Sequence, residues 1–305
     1  MVQDNNKVTI VGCGNVGMSA AYAMLLRGLV NELCLIDINK ARVTGEKLDL
    51  THGMPFMGYA TVEASDDYAI AAKSDIVVVT AGAAQKPGET RLDLAKKNRS
   101  IISSIIPKIV QHAPDAVILM VSNPLDVLTY TAWRESGLPW GRVFGSGTTL
   151  DSARFRVLLG EEMGVNPNSV EASLLGEHGD SSFPFVSPSC LAGKRLVDLL
   201  PGDKISAAYE KARNAAYEII REKGATYYAI GAVISHIVEE IFRDTRNVLP
   251  LSVPLKDYNG VSDVALSVPC VIGRSGVQRV LETKMSDEEL AQFQKSAALM
   301  AEYLK

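Results

Sequence analysis

The chain has 305 residues, 47% of them hydrophobic and 22% charged, and its 31 basic and 35 acidic side chains leave a formal net charge of -4 at pH 7. That length can bury two closely packed domains or one large α/β unit, and the mildly acidic balance without a basic block argues against a nucleic-acid partner. No apolar run approaches the roughly 20 residues of a membrane-spanning helix, so no membrane partner is expected.

The first predicted element is a short buried strand over residues 8–11, and the same β-branched pattern returns at 33–36, 76–80 and 117–121. Helical segments fall between them. Residues 18–27 run up to Gly28, which reads as a helix stop, and residues 91–112 form a longer helix with Pro107 inside it as an expected kink. Strands separated by helices imply right-handed crossovers and an α/β, doubly wound parallel sheet.

From about Thr149 the pattern changes. A helix over 151–163 leads to a strand at 170–175, followed by a hairpin about Gly193 and two long helices between 203 and 245. Strands near 248–253 and 264–272 come next. Ser286-Asp287-Glu288-Glu289 is a capping box for a closing helix whose apolar face carries Leu290, Phe293, Ala297 and Leu304. The division is a dinucleotide-binding domain at 1–148 and a C-terminal α+β substrate domain at 149–305, with no flexible linker and hence an extensive interface. The four cysteines, Cys13, Cys34, Cys190 and Cys270, show no C-x-x-C spacing, so free thiols are expected and no disulfide framework or metal centre. Residues 1–7 are too short and polar for a signal peptide, which points to the cytoplasm.

Three constellations carry chemistry. Gly12-Cys13-Gly14-Asn15-Val16-Gly17 follows a strand, opens a helix, and is followed twenty residues after Gly17 by Asp37 at the end of the next strand. This is the Rossmann context in which backbone N–H groups at a helix N-terminus face a pyrophosphate and the carboxylate takes the adenosine ribose. A carboxylate there repels a 2′-phosphate, and Ile38-Asn39 supplies no arginine to offset it, so NAD is expected over NADP. The second constellation is Asp151-Ser152-Ala153-Arg154, whose three-residue spacing puts carboxylate and guanidinium on one helix face. The third is Gly176-Glu177-His178-Gly179-Asp180, where glycines flank an imidazole able to exchange a proton near neutrality. His52, His112 and His236 read as structural or surface histidines. After the strand at 76–80, Ala81-Gly82 begins a long loop through Gln85 to Arg91, at the strand end where open α/β sheets bind ligands, and Asn123-Pro124 ends another strand at the same crevice.

These motifs, in this order, resemble the NAD-dependent L-lactate and malate dehydrogenases over nearly the whole chain. The resemblance implies that His178 is the proton donor and acceptor, that Asp151 orients its ring, and that Arg154 clamps the substrate carboxylate. It implies further that Arg91 polarises the ketone as its loop closes, and that Asn123 lies near nicotinamide and substrate in a cis Asn123-Pro124 peptide. Ala81 and Gly82 would line the cofactor crevice, Ile230 would pack the nicotinamide, and Thr226 would form the opposite pocket wall. Malate enzymes of the family carry arginine at the position held here by Gln85. A neutral amide leaves a second carboxylate without a partner, so pyruvate and L-lactate are expected, with malate or bulkier 2-hydroxy acids as alternatives. Arg156 is retained from the family's bisphosphate-activated members, but Glu171 would repel a phosphate. The resemblance also implies a homotetramer, a dimer being the alternative. Two readings outside this class are an NAD-requiring glycosidase, which needs metal-ligating spacing absent here, and a non-catalytic NAD-binding protein, which the four catalytic side chains oppose.

Overall fold

A computed structural model describes residues 6–83 and 90–305, and for Arg91 the backbone alone. The first half builds β1 (Lys7–Val11), α1 (Asn15–Leu26), β2 (Glu32–Ile36), α2 (Lys40–Gly53), β3 (Thr61–Ser65) and β4 (Ile76–Val79). After them come α3 (Arg91–His112), β5 (Val117–Met120), α4 (Leu125–Ser136) and β6 (Val143–Gly145). These six strands pair in parallel in the order β3-β2-β1-β4-β5-β6, so the order reverses between β1 and β4. That reversal opens a crevice beyond the carboxyl ends of both strands.

The strands are apolar on both faces because both are covered. Val8, Ile10, Ile76 and Val78 pack on one side with Met24 and Leu25 of α1, whereas Val11, Val77 and Val79 pack on the other with Ile102, Ile106 and Ile109 of α3. Burying such side chains contributes about 1.5–3 kcal/mol each. Helix α3 spans the residues expected and runs through Pro107 without interruption; Thr90 and Asp93 form a reciprocal cap at its start.

The second half comprises α5 (Thr149–Met163), β7 (Val170–Leu175), β8 (Phe183–Leu191), β9 (Lys194–Arg195), α6 (Leu196–Leu199), α7 (Gly202–Lys223) and α8 (Tyr228–Phe242). It ends with β10 (Val248–Pro254), β11 (Ala265–Gly273), β12 (Gly276–Val280) and α9 (Asp287–Leu304). Strands β7–β9 form their own antiparallel sheet over a core of Phe155, Leu159, Leu174 and Ile205.

The two halves are joined through one sheet. Strands β10–β12 extend the first sheet to nine strands, β10 joining β6 antiparallel at Ser252 opposite Gly145. Strand β6 would otherwise leave an open sheet edge, and β10 covers it. Gly145 permits the approach, since a Cβ there would meet Thr129 Oγ1 at 2.5 Å and Ser252 Cβ at 3.0 Å.

Candidate active site

At the crevice, β1 turns into α1 through the glycine motif. Gly12 has φ +100°, and a Cβ there would lie 2.5 Å from the backbone nitrogen of Ala81, so only glycine lets the ends of β1 and β4 meet. Thr80 Oγ1 donates to Gly12 O at 2.5 Å, and Ser122 Oγ donates to Ala81 O at 2.6 Å, binding β1, β4 and β5 together beneath the crevice. Nothing lies within 4 Å of a Cβ built on Gly14, and α1 has no side-chain cap and no acidic residue in its first turn. Its first backbone N–H groups, including those of Asn15 and Val16, are therefore placed for an external anion. Gly17 closes the motif by packing on Gly12 O, 2.3 Å from where a Cβ would be.

The carboxylate expected at the end of β2 is fixed by the backbone. Asp37 Oδ2 accepts from Cys13 N–H and Oδ1 from Asn39 N–H, both at 2.8 Å, while Ile38 is fully exposed and Arg42 pairs with Glu46. Together with the open space over Gly14, these residues fit a dinucleotide whose pyrophosphate meets α1 and whose ribose meets Asp37.

Three side chains assemble deeper in. Asp151 and Arg154 occupy the first turns of α5, and His178 follows β7 after Gly176, which has φ +89° and exchanges backbone hydrogen bonds with Ser267 of β11. This bridge fixes the end of the small sheet to the large one. Asp151 Oδ2 lies 2.6 Å from His178 Nδ1, and Asp151 Oδ1 accepts from Arg154 Nη1 at 3.0 Å. Burial opposes charging His178, but the adjacent Asp151 carboxylate more than offsets this and raises the imidazole to about 9. Burial alone would raise Asp151; the His178 and Arg154 charges win, and its carboxyl is held below the ordinary carboxylate range. The result is an imidazolium whose Nδ1 proton is held by a carboxylate, leaving Nε2 for a ligand. Arg154 Nη2 is buried with no hydrogen-bond partner among the described residues. A buried, unpaired guanidinium nitrogen is costly unless an anion completes it.

The remaining sequence-derived positions fall as follows. Asn123 is exposed at the end of β5, its peptide with Pro124 is cis, and its carbonyl accepts from Asn98 Nδ2 at 2.7 Å. Asn98 also holds the root of the loop, accepting from Ala83 N–H at 2.8 Å, with Gly82 exposed beside it. Ile230 on α8 packs with Val16 in one apolar cluster, because Gly231 lets α8 approach α1 at Ser19. Thr226 is half-buried in the turn before α8, whose Ala229 shares an apolar cavity with Arg154. Gln85 lies outside the described residues, and Arg91 begins α3 at the rim. Glu171 is exposed and accepts from the Cys190 thiol at 3.4 Å.

Sequence reasoning missed Asn98 and Asp126. Both are buried polar residues inside helices, and their partners, Asn123 and Ala83 for one and His178 and Ser252 for the other, are distant in sequence or on other elements. A polar side chain in an otherwise buried helix face was the available signal.

Two family models match the chain: lactate/malate dehydrogenase, NAD binding domain, over residues 6–145, and lactate/malate dehydrogenase, alpha/beta C-terminal domain, over residues 148–305. An L-lactate dehydrogenase of Thermoanaerobacterium saccharolyticum is 45% identical, with 98% of each chain covered. That of Petromyzon marinus is 46% identical, covering 96% of this chain and 90% of its own. Among solved structures, a lactate dehydrogenase enzyme from a Medee basin deep-sea metagenome library superposes with a TM-score of 0.95 at 40% identity, covering 98% of both chains. The minor L-lactate dehydrogenase of Enterococcus mundtii, in a ligands-bound form, gives 0.95 at 39% with the same coverage.

Proposed function

The chain belongs to the lactate/malate dehydrogenase family and is an NAD-dependent oxidoreductase, and from that premise we propose that it interconverts pyruvate and L-lactate. The observation that carries the reading is the buried Nη2 of Arg154, without a hydrogen-bond partner among the described residues, beside the His178–Asp151 pair. It supplies a carboxylate anchor next to a proton donor. Residues 1–148 hold the dinucleotide in this proposal, and 149–305 supply the substrate groups.

NAD, when bound, carries the hydride. The Gly12, Gly14 and Gly17 turn with Asn15 and Val16 would hold the pyrophosphate, and Asp37 the ribose. Ala81, Gly82, Asn123 and Ile230 would line the nicotinamide side. Arg154 grips the pyruvate carboxylate through two parallel N–H···O bonds, which fixes the keto carbon in the crevice. Protonated His178 donates from Nε2 to the carbonyl oxygen as it gains negative charge, and Asp151 stabilises the imidazolium before the transfer and orients the ring after it. In oxidation, neutral His178 takes the hydroxyl proton of lactate. Arg91 polarises the carbonyl, Thr226 forms the opposite pocket wall, and the neutral amide of Gln85 selects against a second carboxylate.

We further propose a cytoplasmic homotetramer. Phe56 and Tyr59 are 88% and 83% exposed and Leu48 51%, on α2 and the segment that brings Gly58 against Gly28, where Tyr22 and Leu26 of α1 are also open. Apolar exposure on this scale favours burial against another copy, and sedimentation equilibrium measures it. No described helix is long and apolar enough to cross a membrane, and all four cysteines are free.

The substrate is tested by NADH oxidation with pyruvate, oxaloacetate and 2-oxoisocaproate in parallel. Pyruvate is expected to give the highest kcat/KM; a higher value for either of the others replaces the lactate assignment.

A further inference from the structure

Asp126, in the first turn of α4, is a buried carboxylate that touches the active-site loop from the other half of the molecule. Its Oδ2 accepts from the backbone N–H of His178 at 2.7 Å, and its Oδ1 accepts from Ser252 Oγ of β10 at 2.6 Å. Both hydrogen-bond partners are neutral. We propose that Asp126 is a positioning residue for His178, fixing the loop through its backbone and placing a second negative charge behind the imidazole. This rests on the reading of His178 as the proton donor.

A purely structural role does not account for the residue type. A buried carboxylate without a cationic contact is costly, and an asparagine of the same shape could accept from the same N–H without that cost. The charge itself then needs a purpose. The groups acting on the ring are Asp151 and Arg154 from α5 and Asp126 from α4, while β10 contributes the neutral Ser252. On Asp126, the His178 charge is favourable and the neighbouring Glu177 is unfavourable. Burial pushes Asp126 up to about 7, the Ser252 and His178 hydrogen bonds limiting the rise. His178 titrates at about 9, so between those values Asp126 is ionised while the imidazole is still charged. In that interval, Asp126 holds the donor in its protonated state.

The test is Asp126→Asn in the full-length protein, with two readouts. The first is an NMR titration of isotope-labelled histidine, the His178 signal being identified by its loss in His178→Asn. The second is the pH profile of kcat/KM for pyruvate at saturating NADH. Removing a nearby negative charge disfavours the imidazolium, so the His178 titration and the alkaline limb should both move down by about one pH unit. That is roughly a fivefold loss of activity at pH 9, approaching tenfold at higher pH, with little change near pH 6. Ser252→Ala keeps the carboxylate but removes one of its hydrogen bonds, and should move both readouts the same way by less; it carries the test if Asp126→Asn does not fold. Readouts coincident with wild type, alongside an inactive His178→Asn, overturn the role of Asp126 and leave the proton-donor reading intact. Near-normal turnover in His178→Asn removes that reading, and this proposal with it.

Discussion

Replacing Asp151 by asparagine removes the charge that lies 2.6 Å from His178 Nδ1 while keeping the side chain's shape. With that carboxylate gone, burial meets only the weaker pull of Asp126 on a ring that is about three-quarters covered, so the imidazole should fall from about 9 toward its ordinary 6.5. The fall corresponds to about 3 kcal/mol, or a few hundredfold in the population of imidazolium at a pH above both values. Pyruvate reduction needs that proton, so its kcat/KM in Asp151→Asn should begin to decline near pH 6 instead of near 9, and the deficit should be small at pH 5.5. The assay is initial-rate NADH oxidation across pH 5–10 at saturating cofactor. A variant whose alkaline limb coincides with that of wild type refutes the assignment of Asp151 as the group that sets the proton affinity of His178.

The same pair makes a claim on stability. His178 is raised in the folded protein, so its contribution is fully present below the ordinary 6.5 and is lost as pH climbs through about 9. Asp151 is lowered, so its contribution is present above the ordinary 3.8 and lost as pH falls through its folded value. The Tm difference between wild type and Asp151→Asn should therefore be greatest between about pH 4 and 6.5 and shrink by pH 10.

Arg154→Lys should raise the KM for pyruvate on the order of a hundredfold with NADH affinity unchanged, because an ammonium cannot make the two parallel bonds of a guanidinium; a KM within a few fold of wild type counts against the carboxylate clamp. NADPH should support turnover at least about tenfold less efficiently than NADH, since the Asp37 carboxylate is held by the Cys13 and Asn39 amides and cannot swing away from a 2′-phosphate; equal efficiency sinks that reading. Gln85→Arg should shift relative kcat/KM from pyruvate toward oxaloacetate by roughly a hundredfold, and unchanged preference in a folded, NADH-binding variant means that Gln85 does not meet the substrate.

Much of this arrangement is legible in the sequence because its causes are local. The glycine turn, the bounds of α3, and the capping box that starts α9 each depend on residues within a few positions of one another. Asp151 and Arg154 share a helix face through a fixed spacing, and the glycine two residues before His178 is demanded by the positive φ at position 176. Elements without a local signature are not legible. Strand β3 buries only Val62 fully among Thr61, Glu63, Ala64 and Ser65, α2 buries only Val43 and Leu50, and β6 has three residues. Their existence depends on neighbours: β3 on the edge of β2, and β6 on β5 and the distant β10. The continuity of the nine-stranded sheet is a long-range fact of the same kind, settled where Ser252 meets Gly145.

Asp126 shows why such long-range facts matter to the chemistry. In sequence it is an acidic residue in the first turn of a helix, where any carboxylate would suit the helix dipole. Only the folding of β10 beside β6 brings Ser252, 126 residues away, onto one oxygen while the loop after β7 delivers His178 onto the other. Asp126 and Asp151 raise the proton affinity of the ring and Arg154 lowers it, while Glu177 adds a further acidic group beside Asp126. Deprotonating His178 first would remove one of the cations that face a monocarboxylate substrate. Low-dielectric surroundings magnify the difference, so the 2-oxo acid binds preferentially to the form of the enzyme that already holds the proton it will receive. A dicarboxylate would add a second charge, and the proposed role of the neutral Gln85 is to leave that charge without a partner.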